Sequence, residues 1–424
     1  MTPSTSNKVN VGSASWLGAD GYDKDSEFAQ RANRFLRDIN WDRLKEICCE
    51  LGDSQCQLSE KFSIGHFNMA RHVLFDDGKS WIVRLRMPNL KEDHVCQDVK
   101  MALSSEVACM NFLMEQTSIP VPKVYGFETE PKDVGAPYII MEYIPGTVAR
   151  ELLQQIDAPL YQFGTPEQDQ NFRRQMAGFQ VEMASFKFDK IGSLYQDSQS
   201  GDFYIGPDCQ TGQGPWESSL EYYRCLANQK LEECLQNAPE EVLNDYSFSL
   251  PVVFERLVTM YTEKTSILGP FGLAHLDFGA HNLLVNKNFE IIAVIDFDGF
   301  ISAPIEVQAQ FPCFMGLDVE PPLFVETEPI VLERIDATKP KLEEYKHMIE
   351  ESEREIEYGG DIMRPQQRLG DLLLSEASAI IYGLKAYGAH QDFINQMWMY
   401  SFSRLLRQKT ALTIGELERP ENDT

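Results

Sequence analysis

The stretch AHLDFGAHNLLVNKNFEIIAVIDFDGF, residues 274–300, constrains the fold more than any other part of this chain. Leu283-Leu284-Val285 and Ile291-Ile292-Ala293-Val294-Ile295 are short apolar runs, and Asn286-Lys287-Asn288 between them is a turn-forming cluster. Aliphatic and β-branched residues on both sides of a polar turn predict a two-strand hairpin. Asn282 precedes the first strand and Asp296 follows the second, so antiparallel pairing brings both to one end. An amide oxygen and a carboxylate oxygen meeting there are hard ligands, suited to Mg²⁺ whose other positions are filled by water and phosphate. Asp277 lies on a loop five residues before Asn282. Near the same cation it can orient a hydroxyl and accept its proton during phosphoryl transfer.

The chain ahead of this hairpin has a different pattern. Residues 1–22 are rich in Ser, Gly and Asn and are expected to be flexible. Over 23–60, Phe28, Phe35, Leu36, Ile39, Leu44, Ile47 and Leu51 recur at helical spacing and Gly52 closes the run, which predicts a helical N-terminal extension. Residues 61–145 begin with two β-rich stretches separated by Asp76-Asp77-Gly78-Lys79, a hairpin turn. A helix from about Val99 to Gln116 follows, stopped before Pro120 and Pro122, and then an apolar strand broken at Pro145 and Gly146. From 146 to 424 the pattern is mainly helical, over 168–187, 217–237 and 371–389, with the hairpin as its main β interruption. Residues 318–360 read as a charged helical insert with Leu342, Tyr345, Ile349 and Ile356 in one apolar stripe, able to pack on its own lobe or on a partner.

Composition excludes some functions. With 65 acidic against 38 basic residues the formal charge is −27, which repels nucleic acid and anionic membrane surfaces and suits a cationic small substrate. No Lys/Arg run of the kind that binds phosphate backbones is present. The nine cysteines lack paired C-x-x-C spacing, so the expectation is reduced thiols rather than a disulfide framework or zinc ribbon. The first residues lack the charged start and apolar core of a signal peptide, and no window approaches the roughly 18 apolar residues of a membrane span. A soluble, cytoplasmic protein with neither nucleic acid nor membrane as partner is expected. Its oligomeric state is not set by the sequence.

His275-Leu276-Asp277, Asn282 five residues on, a strand, a turn, a strand and Ile295-Asp296-Phe297 together resemble the aminoglycoside phosphotransferase and choline kinase family. Phe188-Asp189-Lys190-Ile191-Gly192-Ser193-Leu194-Tyr195, Ile205-Gly206-Pro207 and Ala303-Pro304 look like its fungal branch. The resemblance implies an α+β, bilobal protein-kinase-like fold: a small lobe of antiparallel sheet plus one helix, and a larger, mainly helical lobe bearing the catalytic hairpin. It implies Asp277 as catalytic base, Asn282 and Asp296 as metal ligands and His275 as a brace for the loop. The implied activity is transfer of the ATP γ-phosphate, with Mg²⁺, to a hydroxyl on a small metabolite, for which the acidic surface favours an amine-bearing compound. The pattern has Ala280 and His281 where relatives often carry Pro and Gly, positions read as not having to act.

A kinase-like site also needs residues for the nucleotide. Alternation in Trp81-Ile82-Val83-Arg84-Leu85-Arg86 puts Ile82 and Arg84 on one face, where Ile82 can cover adenine and Arg84 can stand in for the usual phosphate-binding Lys. Ser63 to Asn68, with Gly65, Phe67 and Asn68, would cover the phosphates, and Glu106 would pair with Arg84. Met141, Glu142 and Ile144 occupy the position of the hinge that holds adenine. Trp216, Tyr222, Tyr223, Asp298, Asp318 and Glu320 are candidates for the acceptor pocket. A protein kinase is disfavoured because Ala303-Pro304 comes so soon after Asp296 that no activation segment fits. A hydrolase lacks its nucleophile elbow and His-Glu-x-x-His motif. The alternative is a catalytically weak or inactive kinase-fold protein with a nucleotide-binding or regulatory role, to which the Arg84 replacement and the sparse glycine loop point.

Overall fold

The computed structural model describes Trp16, Gly18 and residues 23–89, 98–237, 249–262, 267–323, 329–358, 368–386 and 392–417. Apart from Trp16 and Gly18, the expected flexible segment 1–22 lies outside the described residues, as do parts of the 318–360 insert. In chain order the elements are α1 (Glu27–Asp38), α2 (Trp41–Gly52), β1 (Cys56–Ile64), β2 (Asn68–Phe75), β3 (Ser80–Arg86), α3 (Val99–Gln116), β4 (Val124–Glu128), β5 (Tyr138–Glu142), β6 (Thr147–Val148), α4 (Ala149–Gln154) and α5 (Pro166–Ala184). Then come β7 (Gly192–Gln196), β8 (Phe203–Gly206), α6 (Ser219–Asn237), α7 (Ser249–Thr262), β9 (Gly272–His275), β10 (Leu283–Val285), β11 (Ile291–Val294), β12 (Phe300–Ala303), α8 (Ile305–Gln308), α9 (Pro329–Tyr358), α10 (Leu369–Leu372), α11 (Glu376–Ala386) and α12 (Asp392–Leu417). They fall into two compact units.

The first unit takes in residues 1–175, 193–213 and 277–300, so it extends past the expected small lobe to include the hairpin. Its N-terminal extension is two helices, each started by a polar cap: Ser26 Oγ accepts from the Ala29 N–H at 3.2 Å and Asn40 Oδ1 from the Arg43 N–H at 3.1 Å. Residues 56–60, expected to end that extension, belong instead to β1. What reads as one β-rich stretch before Asp76 is therefore two strands, with residues 65–67 turning the chain between β1 and β2.

Five antiparallel strands follow the order β1-β2-β3-β5-β4. The β2–β3 turn uses Gly78 at φ +90, which only glycine enters without strain, and Asp77 Oδ1 accepts from the Lys79 N–H at 3.0 Å. The alternation expected in β3 is present. Trp81, Val83 and Leu85 are buried in one cluster with Phe35 and Leu44 of the two N-terminal helices, which leaves Ile82, Arg84 and Arg86 for the opposite face.

The hairpin forms with Leu283 opposite Val294 and Leu284 opposite Ala293, and a register shift then puts Val285 opposite Ile291. β6 adds a third strand beside β10. Its turn is pinned by Phe289, which adopts φ +57 and packs edge-on against Phe163 and Phe172. Phe289 is thus fully buried and holds the hairpin in place.

The second unit comprises residues 176–192, 214–276 and 301–424. Phe254, Leu257 and Val258 of α7 pack with Tyr223 of α6, Ile380 of α11 and Trp398, Phe402 and Leu405 of α12. The chain beyond 146 is mainly helical, as expected, and beside the hairpin it also carries β6, β7, β8, β9 and β12. Each is two to five residues long, too short for a period of two to show. The stripe on α9 packs within this unit: Leu342, Tyr345 and Ile349 are buried, and the Tyr345 hydroxyl donates to Gln180 Oε1 at 3.0 Å. Gln180 Nε2 in turn donates to the carbonyls of Gln308 and Gln310 at 2.9 and 2.8 Å. Among the described residues no helix is long and apolar enough to cross a membrane.

Close packing in this unit leaves Gly272 no room for a side chain. A Cβ on Gly272 of β9 would lie 2.5 Å from the Ala184 carbonyl oxygen and 2.7 Å from Gln308 Oε1, and the first of these is backbone and cannot swing aside. Gly272→Ala is expected to destabilise the protein by about 1–3 kcal/mol, the usual cost of overpacking. Chemical denaturation checks this, and an unchanged midpoint would contradict the packing.

Candidate active site

The hairpin does what its sequence requires of it. At the open end Ile295 N–H donates to the Asn282 carbonyl at 2.9 Å, so Asn282 and Asp296 leave the pair of strands together. Asn282 is buried, and its Nδ2 donates to the Asp277 carbonyl at 3.0 Å and to Asp277 Oδ2 at 3.2 Å. His281 Nε2 lies 2.9 Å from the same carboxylate oxygen. The loop carrying these groups is held by its backbone: Asn282 N–H donates to the Gly279 carbonyl and Arg150 N–H to the Ala280 carbonyl, both at 3.0 Å. Asp296 sits at φ +63, a left-handed conformation that costs a non-glycine residue roughly 1–3 kcal/mol. It thereby ends the strand and turns the chain at the carboxylate.

Two arginines of β3 face this turn. Arg84 forms an ion pair with Glu106 of α3, and its Nη1 lies 3.7 Å from Asp296 Oδ1. Arg86 Nη1 lies 3.5 Å from Asp298 Oδ2, and its guanidinium stacks 4.5 Å above the Phe67 ring. Two rungs with the same i, i+2 spacing on both segments thus join the strand to residues 296–298. Burial opposes the charge on Arg84, but Glu106 and Asp296 outweigh it and hold the guanidinium above its ordinary pKa. Burial lifts the Glu106 carboxyl above the usual range, against the pull of Arg84. Asp296 is also raised, first by desolvation and then by the carboxylates of Asp298 and Asp277, with Arg84 opposing. It nevertheless keeps 45% of its side-chain surface exposed, so a cation can reach it.

Most of these groups line a pocket of about 870 Å³. Gly65, Phe67, Asn68, Ile82, Arg84, Glu106, Met141, Glu142, Ile144, Asp277 and Asp296, all expected from the sequence, are on its walls. Asn282 is not among the wall residues and is joined to the site through its hydrogen bonds to Asp277. A Cβ on Gly65 would meet only the Asn68 carbonyl oxygen, at an ordinary 3.9 Å, so the protein itself does not demand glycine there. In the stretch 142–144, Glu142 N–H donates to the Lys123 carbonyl and Tyr143 N–H to the Ser80 carbonyl.

Other wall residues were not expected: Trp16, Arg150, Gln210 and His281, while His66 lies there as part of the expected loop from Ser63 to Asn68. Gln210 follows Asp208, whose carboxylate accepts from Thr211 Oγ1 at 2.8 Å and from the Gln210 N–H at 3.3 Å, a turn that the D-x-x-T spacing could have signalled. Three acceptor-pocket candidates must be withdrawn. Trp216, Tyr222 and Tyr223 are buried side chains of the second unit's core, where large aromatics gain most from leaving water. Asp318 and Glu320 are exposed, and Asp298 pairs with Arg86.

The loop over the pocket is anchored from the N-terminal extension. Arg31 of α1, itself buried, donates through Nη2 to the His66 carbonyl at 2.5 Å and through Nη1 to the Pro88 carbonyl at 3.2 Å. Arg31→Ala would leave both carbonyls short of a donor, at a cost of about 1–3 kcal/mol. A lowered Tm is expected, and an unchanged Tm would show that the anchor does not hold the loop.

The sequence profile of the phosphotransferase enzyme family APH matches residues 62–305, more than half of the chain. The chain belongs to the APH family. The match runs from the end of β1 to the start of α8, and so includes every pocket residue named above except Trp16. Among APH-like relatives, altered inheritance of mitochondria protein 9, mitochondrial, of Saccharomyces cerevisiae is 28% identical over 304 residues, covering 57% of this chain and 47% of that protein. The chain thus spans about half the length of the yeast relative it matches. A subtelomeric hrmA-associated cluster protein of Aspergillus fumigatus is 25% identical over 334 residues, covering 64% of this chain and 63% of that one. These relatives fit the fungal branch of the family. A crystal structure from Ralstonia eutropha JMP134, assigned to the aminoglycoside phosphotransferases, superposes with a TM-score of 0.52 at 14% identity, covering 88% of this chain and 99% of the other. At that identity the likeness speaks to fold, and the fold is the mixed α+β, protein-kinase-like one with antiparallel sheets.

Proposed function

We propose that this APH-family chain is an ATP- and Mg²⁺-dependent phosphotransferase that moves the γ-phosphoryl group onto a hydroxyl of a small molecule. The observation that carries this reading is the convergence of Asp277 and Asp296 beside Arg84 in a single pocket, with Asn282 at the same end of the hairpin and hydrogen-bonded to Asp277. The donor set fits Mg²⁺. Among the described residues no three His, Cys, Asp or Glu side chains converge as a closed metal cage, and Mg²⁺ shared with phosphates asks for only one or two protein oxygens. Asp296 offers an accessible carboxylate, and Asn282, whose Nδ2 is engaged by Asp277, offers its amide oxygen. When bound, the cation would neutralise charge on the transferring phosphates.

The remaining groups take roles that their positions support. Ile82, Met141 and Ile144 supply apolar surface for adenine. Because the N–H groups of Glu142 and Tyr143 are engaged by backbone carbonyls, the N–H of Ile144 is the one in that stretch left for the base. Arg84, steadied by Glu106, faces the phosphates, with Gly65, Phe67 and Asn68 covering them. Asp277 accepts the proton of the acceptor hydroxyl as its oxygen bonds to the γ-phosphorus and the bond to the ADP oxygen breaks. Glu142, Glu151, Asp277 and Asp298 on the walls, together with the net charge of −27, favour an acceptor bearing an amine.

Phosphate transfer from ATP to a panel of amino alcohols and other hydroxyl metabolites, compared in wild type and Asp277→Ala, tests the reading. Mg²⁺-dependent transfer that the variant lacks is expected. Equal turnover in both proteins would remove Asp277 as base, and failure to bind Mg-ATP would remove the kinase reading. One observation favours the alternative of a nucleotide-binding protein without turnover: Arg84 is paired with Asp296, and both must turn to a ligand. Binding without transfer to any acceptor would mark that alternative.

A further inference from the structure

The sequence gives His281 no work, yet its ring contacts the carboxylate on which the proposed chemistry depends. Asp277 is 55% exposed at its side chain, and an exposed carboxylate samples several orientations about its terminal torsion. Here one oxygen, Oδ2, receives two groups at once: His281 Nε2 at 2.9 Å and Asn282 Nδ2 at 3.2 Å. His281 is 22% exposed, lines the same pocket and rides on a loop fixed at Gly279 and Ala280 by backbone hydrogen bonds. Its ring is rigid and loses little freedom in making the contact.

We infer that His281 is a positioning residue for Asp277: with its proton on Nε2 it donates to Oδ2, fixes the carboxylate plane and directs the other carboxylate oxygen toward the acceptor hydroxyl. The inference rests on the phosphotransferase reading given above. Two donors on one oxygen define the carboxylate in a way that one cannot, because a single hydrogen bond leaves rotation about its own axis. A base misplaced by about 1 Å costs roughly 10²-fold in rate. Since Asn282 still holds Oδ2 when the imidazole is removed, the expected loss is smaller than that from removing Asp277 itself.

His281→Phe keeps the ring volume and deletes the donor, whereas His281→Gln places an amide N–H near the Nε2 position. The Phe variant is expected to lower kcat about 10- to 100-fold, the range seen when a supporting partner of a functional group is lost, with the KM for ATP unchanged. The Gln variant should recover most of the rate. In an Asp277→Asn background the Phe substitution should add no further loss. A Phe variant as active as wild type, or a Gln variant no better than Phe at equal Tm, overturns the inference while leaving the phosphotransferase reading intact. Absence of any turnover in wild type would remove both. A readout that needs no turnover is the ring ¹⁵N shift of His281 in the free protein. A protonated Nε2 that changes its shift in Asp277→Asn is expected, and an unprotonated Nε2 overturns the donor assignment.

Discussion

Asp277→Asn is expected to lower kcat by about 10²- to 10⁴-fold, the span that a general base contributes, while Mg·ADP affinity stays nearly constant. The substitution retains size and an acceptor oxygen, so the contacts from Asn282 and His281 to this position can persist. What the amide lacks is the ability to take a proton. Initial rates with a responsive acceptor and calorimetric titration with Mg·ADP separate the two effects. A rate unchanged within experimental error would require another group to receive the proton, and a comparable loss of nucleotide affinity would move Asp277 from chemistry to ground-state binding.

Asp296→Ala is expected to weaken Mg-nucleotide binding by roughly 10³-fold, corresponding to the several kcal/mol that a metal-held phosphate contributes. Of the two proposed oxygen ligands it is the charged one, and its loss would also leave Arg84 paired with Glu106 alone. Acid should act in the same direction. The carboxyl is raised above the ordinary range by desolvation and by Asp298 and Asp277, so it takes up a proton at a higher pH than a solvated aspartate. Because the ionised form is the proposed ligand, affinity is expected to be full above that raised value and to fall as pH drops through it. Asp298→Asn removes one of the raising charges and should shift this limb to lower pH. Titrations of Mg·ADP against pH check both statements, and an acid limb at the position of a solvated aspartate would contradict the shift.

The hairpin was legible because everything that defines it is local: two aliphatic runs, a polar turn and fixed spacings to Asp277 and Asp296. Alternation likewise placed Ile82 and Arg84 on one face of β3. Long-range partnerships were not legible. Nothing in chain order tells Arg86 that Asp298 will face it, or Phe289 that Phe163 and Phe172 will enclose it. Aromatic residues in the helical region invited an acceptor-site reading, but Trp216, Tyr222 and Tyr223 contribute more by leaving water with Phe254 than by lining a cleft. The short strands β6 to β9 and β12 escaped because two to five residues carry too little periodicity. His281 differs from these: its i, i+4 spacing from Asp277 was visible, and what concealed its contact was the assumption that only motif residues act.

The Arg31 anchor separates two kinds of boundary. The stretch by which the family is recognised begins at residue 62, inside an edge strand that starts at Cys56, and the carbonyl of His66 is held by a guanidinium 35 residues earlier. Inheritance and mechanics therefore delimit different pieces of the chain. A fragment cut to the recognisable core would retain the residues proposed to meet nucleotide and acceptor and lose the support under the loop that encloses them, so a silent fragment would say nothing against the chemistry of the whole.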